Sequence, residues 1–257
     1  RNEYTCELRV SRISTPVSSD VIYTASPSKS RCSRATNVSW SPDSQDLVYE
    51  AEKVWFVFSV KNHRSTMLTD LIPKLQSDLP KGISDLSWSP DGQMLAFLAP
   101  SGMAPPPPDL SRGVEVDENW NPMRVPEERT TLQSRPDVGV AIHVLDLRAE
   151  QVKQITSSDQ RVASYAWAPD GMRIAYSAGP SSGGLSPSAT AGDIYVADLR
   201  TRGVVAVTAQ PGGDGRPVWS PDGEWLAFPS QRGVEDYRFN FSLAIARSDG
   251  SSAPFYP

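Results

Sequence analysis

Trp88-Ser89-Pro90-Asp91-Gly92, running into Leu95-Ala96-Phe97, is one of four near-copies of a single phrase. The others are Trp40-Ser41-Pro42-Asp43 with Leu47-Val48-Tyr49, Trp167-Ala168-Pro169-Asp170-Gly171 with Ile174-Ala175-Tyr176, and Trp219-Ser220-Pro221-Asp222-Gly223 with Leu226-Ala227-Phe228. A phrase that recurs at intervals marks one structural unit used several times. Proline presets the second position of a reverse turn, aspartate tolerates the third, and glycine accepts the positive φ after it. The phrase therefore predicts a hairpin in which Trp closes one strand and the Leu-Ala-Phe type run opens the next. Ser44 stands where the other copies have glycine, which predicts a slightly different turn there.

A second phrase follows the first three hairpins: Val54-Trp55-Phe56-Val57-Phe58, Ile142-His143-Val144-Leu145-Asp146-Leu147 and Ile194-Tyr195-Val196-Ala197-Asp198-Leu199. Each leads to a Leu-Thr-like end: Met67-Leu68-Thr69, Gln154-Ile155-Thr156 and Ala206-Val207-Thr208. The fourth hairpin has a weaker version, Leu243-Ala244-Ile245-Ala246. Period-two mixing and β-branched and aromatic residues favour strands over helices. Each unit thus reads as four short strands. The tryptophans are 48, 79 and 52 residues apart, against roughly 40–50 for a four-stranded propeller blade. The long middle interval is a blade plus an insertion.

The predicted fold is an all-β propeller of four-stranded antiparallel blades, four clear and one degenerate, in a single domain over 1–257. Residues 1–37 form the degenerate first blade, with Glu7-Leu8-Arg9-Val10, Val21-Ile22-Tyr23-Thr24 and Arg34-Ala35-Thr36 as its last three strands. The clear blades take 38–69, 84–156 with an insertion at 100–140, 162–208 and 216–257. Propellers typically close with about 4–8 blades, so the units make either a whole small ring or part of a six-bladed one.

The 257 residues suffice for one large propeller, and 39% are hydrophobic. The net charge of −5 argues against a nucleic-acid partner, because phosphate binding needs clustered Lys and Arg. No apolar run approaches the ~20 residues that span a bilayer. The chain begins at Arg1, which reads as a processed chain or an excerpt. Cys6 and Cys32 fit either one disulfide in an exported protein or two free thiols. With His63 and His143 they make no zinc site, and no metal or cofactor is expected. His143 lies within a strand phrase, where packing is its role.

The Trp-Ser-Pro-Asp-Gly turn, the Leu-Ala-Phe run and the Ile-Tyr-Val-x-Asp-Leu strand together resemble the TolB-type propeller repeat, over roughly residues 38–247. Two kinds of protein carry that repeat. One is the periplasmic TolB family, which binds other proteins of an envelope complex. The other is the N-terminal propeller domain of prolyl-oligopeptidase family serine peptidases, including dipeptidyl and acylaminoacyl peptidases, where the propeller limits access to an α/β-hydrolase domain. The acidic, Trp-containing stretch Val114-Glu115-Val116-Asp117-Glu118-Asn119-Trp120 before the Ile142 strand resembles the peptidase propellers more. Glu127-Glu128 lies 39 residues before Trp167, too far upstream for the paired-glutamate element of dipeptidyl peptidases. The resemblance implies a peptide substrate or protein partner, a hydrolase domain outside this chain, and an extracytoplasmic location, periplasmic or secreted.

Catalytic residues are not expected in this chain. The sequence has no G-x-S-x-G elbow, and Ser181-Ser182-Gly183-Gly184 is a flexible loop by composition. Asp43, Asp91, Asp170 and Asp222 repeat with the turn, so they cap local backbone and perform no chemistry. Binding is expected on the opposite face, where second-to-third-strand connections are long in blades two, three and four. Pro105-Pro106-Pro107-Pro108 is a polyproline II spacer. Glu115, Asp117, Glu118 and Trp120 are the candidate binding residues, their carboxylates supplying charge and the indole a π face for a cationic group. The competing reading is a solvated acidic loop with one tucked aromatic.

Overall fold

The computed structural model describes residues 7–11, 19–24, 36–72, 79–101, 139–180, 192–231 and 241–257. β1 (Glu7–Ser11) and β2 (Ser19–Thr24) form an antiparallel pair. Blade one follows as β3 (Thr36–Trp40), β4 (Asp46–Ala51), β5 (Val54–Ser59) and β6 (Arg64–Met67), adjacent in chain order. Blade two is β7 (Ser84–Trp88), β8 (Met94–Ser101), β9 (Gly139–Asp146) and β10 (Gln151–Gln154). Blade three is β11 (Gln160–Trp167), β12 (Arg173–Pro180), β13 (Asp193–Asp198) and β14 (Val204–Ala206). Blade four has β15 (Val218–Trp219), β16 (Trp225–Ser230) and β17 (Ser242–Arg247), and Phe255 bridges Ile245 at the fourth-strand position. Every pairing within a blade is antiparallel, and one parallel contact, Arg161 beside Val140, joins blades two and three. This is the expected all-β propeller of antiparallel blades.

The turns work as their residue types require. In blade two, Ser89 Oγ donates to Asp91 Oδ1 at 2.6 Å. That same oxygen accepts from the Gln93 N–H at 3.0 Å, and Ser89 Oγ accepts from the Met94 N–H at 2.9 Å. Blades one and four repeat this network through Ser41 with Asp43 and Ser220 with Asp222. Blade three has Ala168 in the serine place, so Asp170 Oδ1 itself takes the Arg173 N–H at 3.1 Å. Gly92, Gly171 and Gly223 sit at φ of 70°, 67° and 71°, and Ser44 at 59°. Serine therefore adopts the same left-handed geometry in blade one, at the steric cost glycine avoids.

Each turn also leans on the one before it. A methyl group on Gly92 would stand 3.5 Å from Pro42, and the same position of Gly223 is 3.8 Å from Pro169. Gly171 faces Pro90 and Asp91 in the same way. Ser44 belongs to the first of the four copies of the phrase.

The core is a succession of joints between blades. Ile22 of the first pair packs with Leu47, Tyr49 and Phe58 of blade one. Val48, Trp55 and Leu68 meet Leu86, Leu95, Phe97 and Leu145 of blade two. Ile142 and Val144 meet Ile174 and Tyr176 of blade three, and Ile194 and Val196 meet Leu226 and Phe228 of blade four. Among the described residues no such cluster joins blade four to the first pair. His143 is buried as a packing residue, its ring stacked on Phe97 at 5.6 Å.

Three local expectations change. Thr36 opens β3 by pairing with Glu50, because the bulge after it lets the strand start early; it is not an outer strand of the first unit. Thr69 lies in the short helix α1 (Leu68–Leu71), which turns Leu68 and Ile72 into the core in place of a strand end. Trp40 is 46% exposed, whereas Trp88, Trp167 and Trp219 pack on their neighbours. The unit before blade one has two described strands, β1 and β2.

Arg173 fastens the joint between blades three and four. It pairs with Asp170 at 2.7 Å, donates to the Gly223 carbonyl at 3.1 Å, and lies 4.9 Å from the Trp219 ring centre. Arg173→Ala is expected to cost about 1–3 kcal/mol. Chemical denaturation should show this as a lowered midpoint, and amide exchange should rise first in β15 and β16.

Candidate functional site

The ring has two unlike faces. The four Pro-Asp turns share one. On the other, β8–β9, β12–β13 and β16–β17 are joined through 102–138, 181–192 and 231–241, while β4–β5 need only Glu52 and Lys53, both at positive φ. Glu115, Asp117, Glu118 and Trp120 fall in the first long connection and lie outside the described residues. So do Pro105–Pro108, Ser181–Gly184, Glu235 to Arg238, and both cysteines.

The described part of this face is the base from which the connections leave. Gly139 begins β9, where a β-carbon would stand 2.3 Å from the Ser158 carbonyl oxygen. Only glycine lets blades two and three approach this closely at the foot of the insertion. Gly192 lies before β13, with the Ala178 backbone 2.9 Å from a virtual β-carbon.

Beside it stands a polar group found in one copy only. Asp214 is buried, its N–H donates to the Gly192 carbonyl at 2.8 Å, and it bridges Ser230. Its carboxylate accepts from Ser230, and Oδ2 is buried with no partner among the described residues. Thr208 Oγ1 accepts the Ile194 N–H at 2.8 Å and reaches Asp193 Oδ1 at 3.5 Å. Tyr256 closes the far side, its hydroxyl 2.7 Å from Gln210 Nε2 and 3.3 Å from Ser230 Oγ.

Blade two shows what is special here. Thr156 Oγ1 holds the Ile142 N–H as Thr208 holds Ile194, but Ala141 occupies the place of Asp193. The acidic pair is a departure from the repeat, and repeat alignment is the signal by which sequence reading could have found it. Asp214 sits in Gly212-Gly213-Asp214-Gly215, which reads at first as a plain loop.

Burial raises the pKa of both carboxyls, and the Asp214 charge raises Asp193 further. Two carboxylates in a poorly solvated site favour one compensating positive charge, whether a proton or a cationic group. Among the described residues no three His, Cys, Asp or Glu side chains gather as a metal site. An outer-rim cleft of about 370 Å³ lies between β10 and β14. Its carboxylate, Asp198, already accepts the Arg200 and Thr201 N–H groups.

Comparison with known proteins places this geometry. No protein-family model matches the chain. The Tol-Pal system protein TolB of Alcanivorax borkumensis is 34% identical over 87 residues, a stretch that is 34% of this chain and 18% of that protein. A TolB-type protein of Agrobacterium tumefaciens superposes with a TM-score of 0.58 at 18% identity, covering 93% of this chain and 65% of that one. Pyrococcus horikoshii acylaminoacyl peptidase superposes with a TM-score of 0.53 at 14% identity, covering 95% of this chain and 36% of the enzyme. The fold is that of the TolB-type β-propeller, shared with peptidase propeller domains. This chain spans under two thirds of the length of each of these proteins.

The acidic pair has a signature in pH. A carboxyl whose folded pKa lies above its unfolded value of about 3.9 makes folding less favourable as pH rises through that window. The turn aspartates act oppositely. At Asp91 and Asp170 burial opposes ionisation, but hydrogen bonds outweigh it and the pKa falls; their stabilisation is present above about pH 4 and lost as pH falls further. Asp193→Asn should therefore raise Tm at pH 7 by about 2–4 °C and flatten its decline as pH rises above about 4. A lower Tm for the variant across the whole range would refute the repulsion.

Proposed function

We propose that this chain is a non-catalytic recognition propeller that takes a peptide or protein partner on the face carrying the long connections. In its finer form it gates substrate for a prolyl-oligopeptidase-type hydrolase domain that lies outside this chain. The observation that carries the reading is the contrast of the two faces. One repeats a Pro-Asp turn four times, and the other holds buried Asp214 beside half-buried Asp193, a pair that the repeat does not carry, at the feet of the connections in blades three and four. Glu115, Asp117, Glu118 and Trp120 belong to the long connection of blade two. With Asp193 and Asp214 they suit a cationic group, such as a peptide α-amino end or a Lys or Arg side chain.

A second reading is a TolB-like scaffold that binds folded proteins. The 34% identity to TolB over 87 residues supports it. There the long connections would meet a protein surface and a peptide terminus would not matter.

Peptides separate the two. Peptides with a free α-amino end should bind at least about tenfold more tightly than N-acetylated ones by calorimetry, and added salt should weaken binding. Replacing Asp117, Glu118 and Trp120 together by Ala should weaken this binding about tenfold and leave Tm nearly unchanged. Equal binding of both peptide forms would overturn the gating reading. Unfolding of the triple variant would make the segment structural.

A further inference from the structure

The outer rim differs from joint to joint. Between blades one and two, α1 sets Leu68 and Ile72 into the cluster shared with Leu145. Between blades three and four, the turn at Gly250 lies so close to β14 that a β-carbon there would stand 2.7 Å from the Ala206 carbonyl oxygen. Between blades two and three, β10 and β14 instead flank the cleft of about 370 Å³, a volume within the roughly 300–1,000 Å³ of ligand sites. Its floor is the apolar cluster of that joint, with Ile155, Ala197 and Leu199. Ala197 is the register partner of Val204, which stands on the wall 49% exposed.

The walls carry charge and a free strand edge. Lys153 on β10 and Arg202 in the β13–β14 turn are exposed and line the cleft from opposite sides. The turn fixes the Arg202 backbone at φ 60°, its N–H donating to the Asp198 carbonyl at 2.8 Å. Glu150 holds the same left-handed place in blade two, so the positive charge here departs from the repeat. Among the described residues neither cation has an ion-pair partner. The carboxylate of the cleft is already engaged, because Asp198 pairs with Arg200 at 3.4 Å and takes two N–H groups of its own turn. β14 is the last strand on its side of the sheet. Asp198 N–H donates to the Gly203 carbonyl and Val207 N–H to the Ile194 carbonyl. Those alternate places of the antiparallel ladder face β13, so the N–H and carbonyl of Val204 face outward.

We propose that this cleft binds an extended acidic peptide segment, which pairs with the edge of β14 at Val204, sets one apolar side chain on the floor and places carboxylates against Lys153 and Arg202. Charge complementarity selects the acid, and the open edge selects a peptide, whose backbone can continue the ladder. A fatty acid would use the floor and the cations and leave the edge unpaired. The site lies on the rim and has the opposite charge preference to the partner proposed above, so the two stand or fall separately.

The probe is acetyl-Ala-Glu-Ala-Leu-Ala-Glu-Ala-amide, whose alternation puts both glutamates and the leucine on one side of an extended chain. In calorimetry with the 257-residue chain, it should bind at least about tenfold more tightly than its Gln counterpart and than its backbone N-methylated form, and added salt should weaken it. Lys153→Glu with Arg202→Glu should weaken the acidic peptide at least about tenfold and confer binding of the Lys counterpart. The same variant should move Tm by less than about 1 °C, because both side chains lie in water. Exchange of preference is a result that mere loss of structure does not give. Equal binding of the Glu and Gln peptides, equal binding of the N-methylated form, or no binding at about 1 mM overturns the proposal. So does tighter binding of dodecanoate than of the peptide, which would assign the cleft to a fatty acyl chain.

Discussion

The carboxylate of the turn aspartate is the contact on which the rest of this molecule depends. A tight hairpin leaves backbone N–H groups pointing inward with no partner. Asp91 takes one directly and positions Ser89 to take another. Once the hairpin is fixed, so is the register of the strands it joins, and register decides which side chains face the next blade. Blade three shows the tolerance of the device. Ala168 cannot relay, so Asp170 does both jobs, and the freed geometry brings in Arg173 as a cross-joint tie. A lost hydroxyl at one turn is thus offset by a guanidinium that also holds the neighbour.

The repeat made much of the fold legible. Pro, Asp and Gly have positional meanings that need no tertiary context, and the glycines take the positive φ those meanings demand. Where reading from sequence failed, the cause was packing. Leu68-Thr69-Asp70-Leu71 has no local reason to curl, and it does so because Leu68 and Ile72 fill the joint with blade two. Trp40 carries the same letters as its three siblings, yet it is 46% exposed where they pack on their neighbours. Thr36 joined a different strand because a bulge extended β3.

The candidate site was legible only in part, for a related reason. Repetition exposes what is shared, so the eye passes over single departures from it. Asp193 replaces an alanine of the repeat, and Asp214 hides in a glycine-rich link. Neither neighbours the other in sequence, and only the bridge of Asp214 to Ser230 beside Gly192 brings them together. Composition had located the acidic segment around Trp120. Asp193 and Asp214 are carboxyls that the scaffold itself holds, one half-buried and one buried.

The apolar clusters have one more consequence. Each belongs to two neighbouring blades and to no third. Cohesion in such a molecule is passed along a line, as in a row of clasped hands, and has no common centre. Damage at one clasp loosens two units and spares the others, so opening is graded along the chain. Inheritance by duplication follows the same logic: whole units can be gained, lost or worn down separately, provided the hands on either side still meet.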